Sequence, residues 1–397
     1  MFNRRIVPVW ASKNSKLVDA HWDSASLESW LRFNRDRRWS RRQKIALLKH
    51  FGDIVQAVAV TVDEAKYIFC EAEVNQRLRP NAFQVDLSAI ENELAWLEQP
   101  EHHLITYFDE RYPEQLRNII DPPIALFAAG NLGELNKAKV AMVGSRRPSP
   151  TGVKITERIA GGLAELGVDI VSGMALGIDG IAHHAALAAG GSTIALLGSG
   201  IDVVYPTRHR KLYEKLISEG LVLSEYPLSL APSKYTFPDR NRLVSGLSMG
   251  VVIIEAAQRS GTLITARLAA EQNRELMVVP GSALSDQYSG SHELIRDGAA
   301  LVTSLDDVLM QLSKELSEYC IADPDLSPVT QDSRQYLQTL SADQSKVLNA
   351  LDFEAASIDA IIAASGLVAE QVSVILLELE LDGVVASAPE GGYIRSS

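Results

Sequence analysis

The chain has 397 residues, 46% of them hydrophobic and 22% charged, an ordinary globular composition at a length that accommodates two or three domains. No apolar run reaches the roughly 18 residues needed to span a bilayer, the apolar stretch within MFNRRIVPVWASKNSK is too short for a secretory signal, and Cys70 and Cys320 lie too far apart in sequence for metal spacing or a disulfide framework. A cytoplasmic protein without membrane, metal or cofactor is expected, and its formal net charge of −12 argues, as a sum, against nucleic acid, although the charge is unevenly distributed.

Residues 1–20 show no clear period. From Ser26 to Cys70 the pattern is helical, with Trp30, Leu31 and Phe33, then Ile45, Leu47, Leu48 and Phe51, then Ile54, Val55 and Val58. Inside it lies a basic run: Arg32, Arg35, Arg37, Arg38, Arg41, Arg42, Lys44 and Lys49 against the single acid Asp36. Two readings stand here. One is a solvated helix face; the other is a patch that tracks a phosphate backbone, with Trp39 available to stack. Residues 24–80 read as a small helical domain within a first segment 1–100, and Ser88–Glu98 as a helix with Ile90, Leu94 and Leu97 on one face. Residues 103–135 alternate short apolar runs with Pro, Asp and Gly and read as a preamble to the main sheet.

From Val140 strand and helix signals alternate. Strands are expected at 140–145, 168–173, 192–200, 221–227, 250–256 and 275–281, with helices over Thr151–Leu166, Ile178–Ala189, Thr207–Ser218 and Thr262–Asn273. VAMV, VVII and MVVP are apolar on both faces, which suits a parallel sheet covered by helices on both sides. The fold class is therefore α/β, an extended Rossmann-like doubly wound core over 101–312. A linker follows at 313–333. Three short helices and a hairpin then make 334–397 a winged-helix domain.

The loops after the strands carry the chemistry. Gly144, Ser145, Arg146 and Arg147 join a strand to a helix N-terminus, where free N–H groups and the dipole welcome an anion. The pattern is neither GxxxxGK[ST] nor GxGxxG. Two arginines repel that dipole, which makes sense where an anion sits. In SGMALGIDGIAHHAAL, Asp179 is placed to cap the next helix, and His183 and His184 are adjacent, pointing apart rather than forming a metal pair. After YP come Arg208, His209, Arg210 and Lys211, with Tyr205 able to stack on a base. Arg240 and Arg242 lie at the mouth of the expected sheet beside Phe237, a packing residue. Glu255 ends a strand, and Ser260, Gly261 and Thr262 open a helix beside Arg259, a second anion-accepting start. No nucleophile–base pair stands out. So many arginines exceed what one mononucleotide needs and suit a polynucleotide backbone.

VGSRRPSPTG, SGMALGIDGIAHHAAL, ALLGSGIDVVYP, FPDRNRLVSGLS, EAAQRSGTLITA and VVPGS occur in the order and spacing of the DprA/Smf family, and the chain resembles that family strongly over about residues 100–305. The N-terminal helical (SAM-like) domain and the winged helix match its longer members. The resemblance implies a homodimer that binds single-stranded DNA, protects incoming strands in natural transformation and loads the RecA recombinase, with single-strand-binding protein as a further partner. It implies DNA contacts at Arg146, around Tyr205, Arg208 and Lys211, and at Arg240 and Arg242. Leu176 stands where many members carry arginine, so no contact carries over there.

The last domain differs in charge. From Gln335 it holds nine acids (Asp343, Asp352, Glu354, Asp359, Glu370, Glu378, Glu380, Asp382 and Glu390) and two bases, Lys346 and Arg395. A module that grips DNA should be basic, so this one is expected to bind protein or the rest of the chain. The alternative function is a nucleotide-processing enzyme of the phosphoribohydrolase type, motivated by Glu255 and the Ser260-Gly261-Thr262 turn and weakened by the lack of a doubled-glycine turn. A winged-helix transcription regulator is disfavoured by the acidic last domain.

Overall fold

Helix starts near the N-terminus are set by capping side chains. In the computed structural model, which describes residues 24–36, 38–69, 86–320, 341–351, 356–381, 385–387 and 392–395, the first helix among the described residues is α1 (Ser24–Arg35). Ser40 and Gln43 form a capping box that opens α2 (Arg41–Phe51). Asp53 caps α3 (Ile54–Val58), Thr61 and Glu64 box α4 (Val62–Ile68), and Asp86 caps α5 (Leu87–Leu97). The expected arm 1–20, Arg37 and Cys70 lie outside the described residues.

These helices bury Trp30, Leu31, Phe33, Leu47 and Leu48 in a core continuous with one face of the sheet. The same compact unit, Met1–Leu326, holds both helices and sheet. Trp39 belongs to that core and is 5% exposed, so it is not available to stack on a base. The basic run is likewise engaged internally. Arg32 pairs with Glu28, Arg35 with Glu93 and Arg38 with Asp36; Arg41 bridges Asp121, Glu225 and Asp239. Arg42 donates to Ile120 O (3.1 Å), and the buried Lys44 donates to Asn34 O (3.0 Å). Neither a phosphate-tracking patch nor a merely solvated face describes it.

Nine strands make one sheet: β1 (His102–Thr106), β2 (Ala125–Gly130), β3 (Lys139–Gly144), β4 (Asp169–Ser172), β5 (Thr193–Leu196), β6 (Leu221–Ser224), β7 (Gly250–Ile254), β8 (Glu275–Val279) and β9 (Ala300–Leu301). The order is β1-β2-β6-β5-β4-β3-β7-β8-β9. From β6 to β9 all neighbours are parallel, while β1 and β2 add an antiparallel edge. All six expected strands are present. β1 and β2 occupy the stretch read as a preamble, and the two-residue β9 gave no readable period.

The helices that follow the strands of this sheet are α6 (Glu114–Arg117), α7 (Pro150–Glu165), α8 (Ile178–Ala188), α9 (Arg210–Glu219), α10 (Thr236–Gly246), α11 (Thr262–Glu271), α12 (Ser289–Arg296) and α13 (Leu305–Gln311). α10 was not expected, because its buried Arg240 and Arg242 disguise an inward face as a polar one. A further helix, α14 (Ser313–Cys320), replaces the start of the expected linker, whose remainder lies outside the described residues. The order of strands reverses between β3 and β7, which run parallel with Gly144 opposite Ile254. In open α/β sheets ligands lie beyond the strand ends at such a switch point.

The second unit, Ser327–Ser397, contains α15 (Ala342–Asn349), α16 (Ile358–Ser365), α17 (Ala369–Leu381) and the antiparallel pair β10 (Val385–Ser387) and β11 (Tyr393–Arg395). Val347, Leu348, Leu351, Ile361, Val372, Leu376 and Leu379 give it its own core. This is the expected winged helix. Among the described residues no single helix is long and apolar enough to cross a membrane.

Candidate nucleic-acid interface

At the switch point the loops after β3 and β7 interlock. Ser145 N donates to Ile254 O (3.1 Å), and Ile178 N donates back to Ser145 O (3.1 Å). Gly177, one residue before α8, takes φ +83°, and a Cβ there would lie 2.2 Å from Ser145 O. Only glycine accommodates both the angle and the contact.

The start of α7 already holds an anion, and it is the protein's own. Glu255, 1% exposed at the end of β7, accepts from Ser149 N (2.9 Å), Ser149 Oγ, Gln287 Nε2 (2.5 Å) and Tyr288 OH (2.9 Å). A side chain on Gly152, in the first turn of α7, would collide with this carboxylate at 2.2 Å. Ser149 caps the helix through Gly152 N (3.0 Å). The anion at this helix start is therefore the carboxylate of Glu255, which the dipole faces. The same contacts occupy both oxygens of Glu255 with donors.

The open space lies beside it, in a cavity of about 590 Å³. Gly144, Ser145, Arg146, Arg240, Ser260, Gly261 and Thr262 all line it, so these seven sequence-predicted residues meet in one place. Thr262 Oγ1 donates to Gly144 O (3.2 Å), and Thr262 N donates to Ser260 Oγ (3.2 Å), which fixes the α11 start against the β3 loop. Arg146 and Arg259 are exposed on the rim, with no ion-pair partner among the described residues.

Arg240 is different. It is 4% exposed, and its Nη1 donates to Gly173 O (2.6 Å) and Leu196 O. Burial pushes its pKa down, opposed by the nearby Asp179. Burial pushes the Asp179 carboxyl up, opposed by Arg240 and by the Ala175 and Gly173 amides. Asp179 does not cap its helix. Its Oδ2 accepts from Gly173 N (3.1 Å) and Ala175 N (3.3 Å) and braces the preceding loop.

Other predicted residues are not brought into the cavity. Arg147 is exposed outside it, its carbonyl accepting from Gln287 Nε2 (3.1 Å). Tyr205, 47% exposed, stands 5.4 Å by ring centroid from Phe237, which does line the cavity. Arg208, Arg210 and Lys211 are exposed at the start of α9, again without an ion-pair partner among the described residues. Arg242 is the clear correction. It is 7% exposed, pairs with Glu225 and donates to Asp121 O (2.5 Å), so no donor is left presented at the mouth of the sheet. Asn241 and Gln287 line the cavity without having been singled out as site residues. Asn241 was legible as the middle of RNR; nothing in SDQYSG marks Gln287.

His183 and His184 do point apart. His183 is buried with Nδ1 2.7 Å from Thr193 Oγ1, and burial, helped by His209, His184 and Arg240, lowers its pKa to about 3.

The sequence model of the DNA recombination-mediator protein A family matches residues 103–313, and that of the DprA winged helix domain matches 331–391. Protein Smf of Escherichia coli (strain K12) is 40% identical over 362 residues, 90% of this chain and 95% of that protein. The DNA processing protein DprA of Streptococcus pneumoniae (strain R6) is 48% identical over 203 residues, 51% of this chain and 72% of that protein. Among solved structures, DprA from Streptococcus pneumoniae superposes with TM-score 0.61 at 38% identity, covering 73% of this chain and 98% of that one. DprA from Helicobacter pylori, described for its single-stranded DNA binding mode, superposes with TM-score 0.50 at 35% identity, covering 54% of this chain and 97% of that one. On the match over 103–313 and the near full-length likeness to Smf, the chain belongs to the DNA recombination-mediator protein A (DprA/Smf) family.

Proposed function

We propose that this chain is a cytoplasmic, non-catalytic mediator that binds single-stranded DNA through the switch-point cavity, acts as a homodimer and loads RecA onto strands it protects in natural transformation. The observation that carries the DNA reading is the cavity itself: Arg146 and Arg259 at its rim without an ion-pair partner among the described residues, a buried guanidinium at Arg240, and the hydroxyl-bearing start of α11, gathered at one strand edge. Forked guanidinium donors suit phosphate. Tyr205 against Phe237 offers a stacking face beside it, and Arg208, Arg210 and Lys211 supply further phosphate contacts along the strand. The kinship with DprA of Helicobacter pylori supports the choice of single strands. The saturated hydrogen bonding of Glu255 supports a non-catalytic role, because a general base needs a free oxygen.

The test is a salt titration of binding to single-stranded and duplex oligonucleotides, for the natural protein and Arg146→Ala. Single-strand preference is expected, with log K falling linearly in log salt. Arg146→Ala is expected to weaken binding and to reduce the slope by about 0.7, one phosphate's worth. Unchanged affinity and slope would remove Arg146 from the site. RecA loading is tested separately, by RecA filament growth on DNA precoated with single-strand-binding protein.

The winged helix is proposed to bind protein. The exposed side chains of α17 include Glu370, Gln371, Ser373, Val374, Leu377 and Glu378, none of them basic. A third helix of this kind enters a DNA groove in DNA-binding members of the fold, and here it has nothing to neutralise a phosphate. The Ser327–Ser397 fragment, which has its own core, is expected not to shift DNA; tight, salt-sensitive binding would overturn this.

A further inference from the structure

The basic run in α2 is engaged by acids that its own helix lacks. No acidic residue stands in the first turn of α2, and Arg41 is its first residue, where a cation opposes the dipole. Three carboxylates from elsewhere in the chain offset this. Arg41 reaches Asp121 (3.0 Å), both oxygens of Glu225, and both oxygens of Asp239. Arg242 closes the cluster by pairing with the same Glu225, and Tyr226 OH donates to Asp239 (3.0 Å). Burial alone would lower the Arg41 pKa, but Glu225, Asp239 and Asp121 outweigh it and raise it.

The geometry matters because of where Asp239 and Arg242 sit. They lie three apart on α10 and so share a face. Phe237, Arg240 and Asn241, on the same helix, line the cavity. α10 is thus held on one side by Arg41 and delivers Phe237, Arg240 and Asn241 to the site on the other. Arg240 has little freedom once α10 is placed, because its guanidinium holds the carbonyls of Gly173, just after β4, and Leu196, the last residue of β5. α1 adds to the grip through Arg35, which pairs with Glu93 and donates to Leu228 O (3.4 Å) on the loop between β6 and α10.

We infer that Arg41 is a positioning residue for the nucleic-acid interface, acting through Asp239 and Glu225 to set α10 and with it Phe237, Arg240 and Asn241. The inference rests on the proposed DNA site. It gives the N-terminal helices a part in binding without any contact to DNA, in place of the phosphate-tracking role that their composition suggests.

The sign of one substitution separates the possibilities. Asp239→Asn removes a negative charge near an anion site, so on charge alone it tightens binding. As part of the clamp it weakens binding. The experiment titrates a fluorescently labelled oligothymidylate with full-length protein, well below each variant's melting temperature as measured by circular dichroism. Arg41→Ala and Asp239→Asn are each expected to weaken binding by about threefold to thirtyfold, the range for residues that act through a shared element. Together they are expected to do little more than either alone. Arg41→Lys keeps the charge but cannot bridge three carboxylates, so it too is expected to weaken binding; it also serves if Arg41→Ala fails to fold. In a double-mutant cycle Arg41→Ala and Asn241→Ala are expected to be non-additive, a coupling that loss of stability alone would not produce.

Unchanged or tighter binding by Asp239→Asn, wild-type binding by Arg41→Lys, or affinities unchanged while only melting temperatures fall would each overturn the inference. Arg146→Ala in the same titration separates the two levels. If it weakens binding while the Arg41 and Asp239 variants do not, only the positioning role fails. If it too is silent, the site reading fails and takes this inference with it.

Discussion

The arginines of this chain fall into two populations that composition cannot separate. Arg35, Arg38, Arg41 and Arg242 are engaged by internal carboxylates, whereas Arg146, Arg208, Arg210 and Arg259 have no ion-pair partner among the described residues. The engagement of Arg35 and Arg41 is hidden from the sequence because their partners are remote: Glu93 lies 58 residues beyond Arg35 and Glu225 lies 184 beyond Arg41. Arg146 was readable because a strand-to-helix turn is a local signal. Trp39 shows the same limit, since an aromatic among arginines looks like a stacking platform until its burial is seen. Trp39→Ala is expected to destabilise the fold by about 3–5 kcal/mol in chemical denaturation. Affinity for single strands, measured on folded protein, should not change; a loss of affinity without a loss of stability would restore the stacking role.

At the scale of elements, the parallel strands were legible because strands buried on both faces are continuous apolar runs. β1 and β2 were obscured by proline and aspartate between them, and α10 by its buried arginines. The interlock of loops at the switch point could be suspected from glycine content but not located. It makes two glycines behave oppositely. Gly177→Ala meets both a positive φ and a 2.2 Å contact and is expected to lower stability by more than about 1 kcal/mol and to weaken DNA binding with it. Gly261→Ala meets nothing within 4 Å and is expected to change stability by less than about 0.5 kcal/mol. Thermal melts of the pair test this; equal destabilisation would mean that the loop packing is not as described. Any loss of affinity in Gly261→Ala then reports on the ligand rather than on the fold.

For the molecule as a whole, a buried cluster beneath the sheet sets a pH dependence. Asp169 at the start of β4 has its pKa raised to about 8, first by burial and then by Glu134, while burial lowers Lys139 to about 8. A raised carboxyl holds a proton in the native state that the unfolded chain has lost. Its contribution therefore declines as pH rises from about 4, the ordinary aspartate value, to about 8. Lys139 acts with the opposite sign and only above about 8, and Glu134, held below its ordinary value against the effect of burial by Lys137, Asp169 and Ser192, contributes stability that is lost as pH falls. Asp169→Asn is expected to flatten the fall of unfolding free energy across pH 5–8, by up to about 1.4 kcal/mol per pH unit. Parallel curves for the two proteins would show that Asp169 ionises normally. Glu255 has a consequence of another kind. A carboxylate resident at the start of α7 keeps the β3 and β7 loops in register while the cavity beside it stands open. A strand that binds as proposed meets a site that is already ordered. Little conformational entropy is then charged to binding, and the free energy of each new contact goes into affinity rather than into assembling the loop.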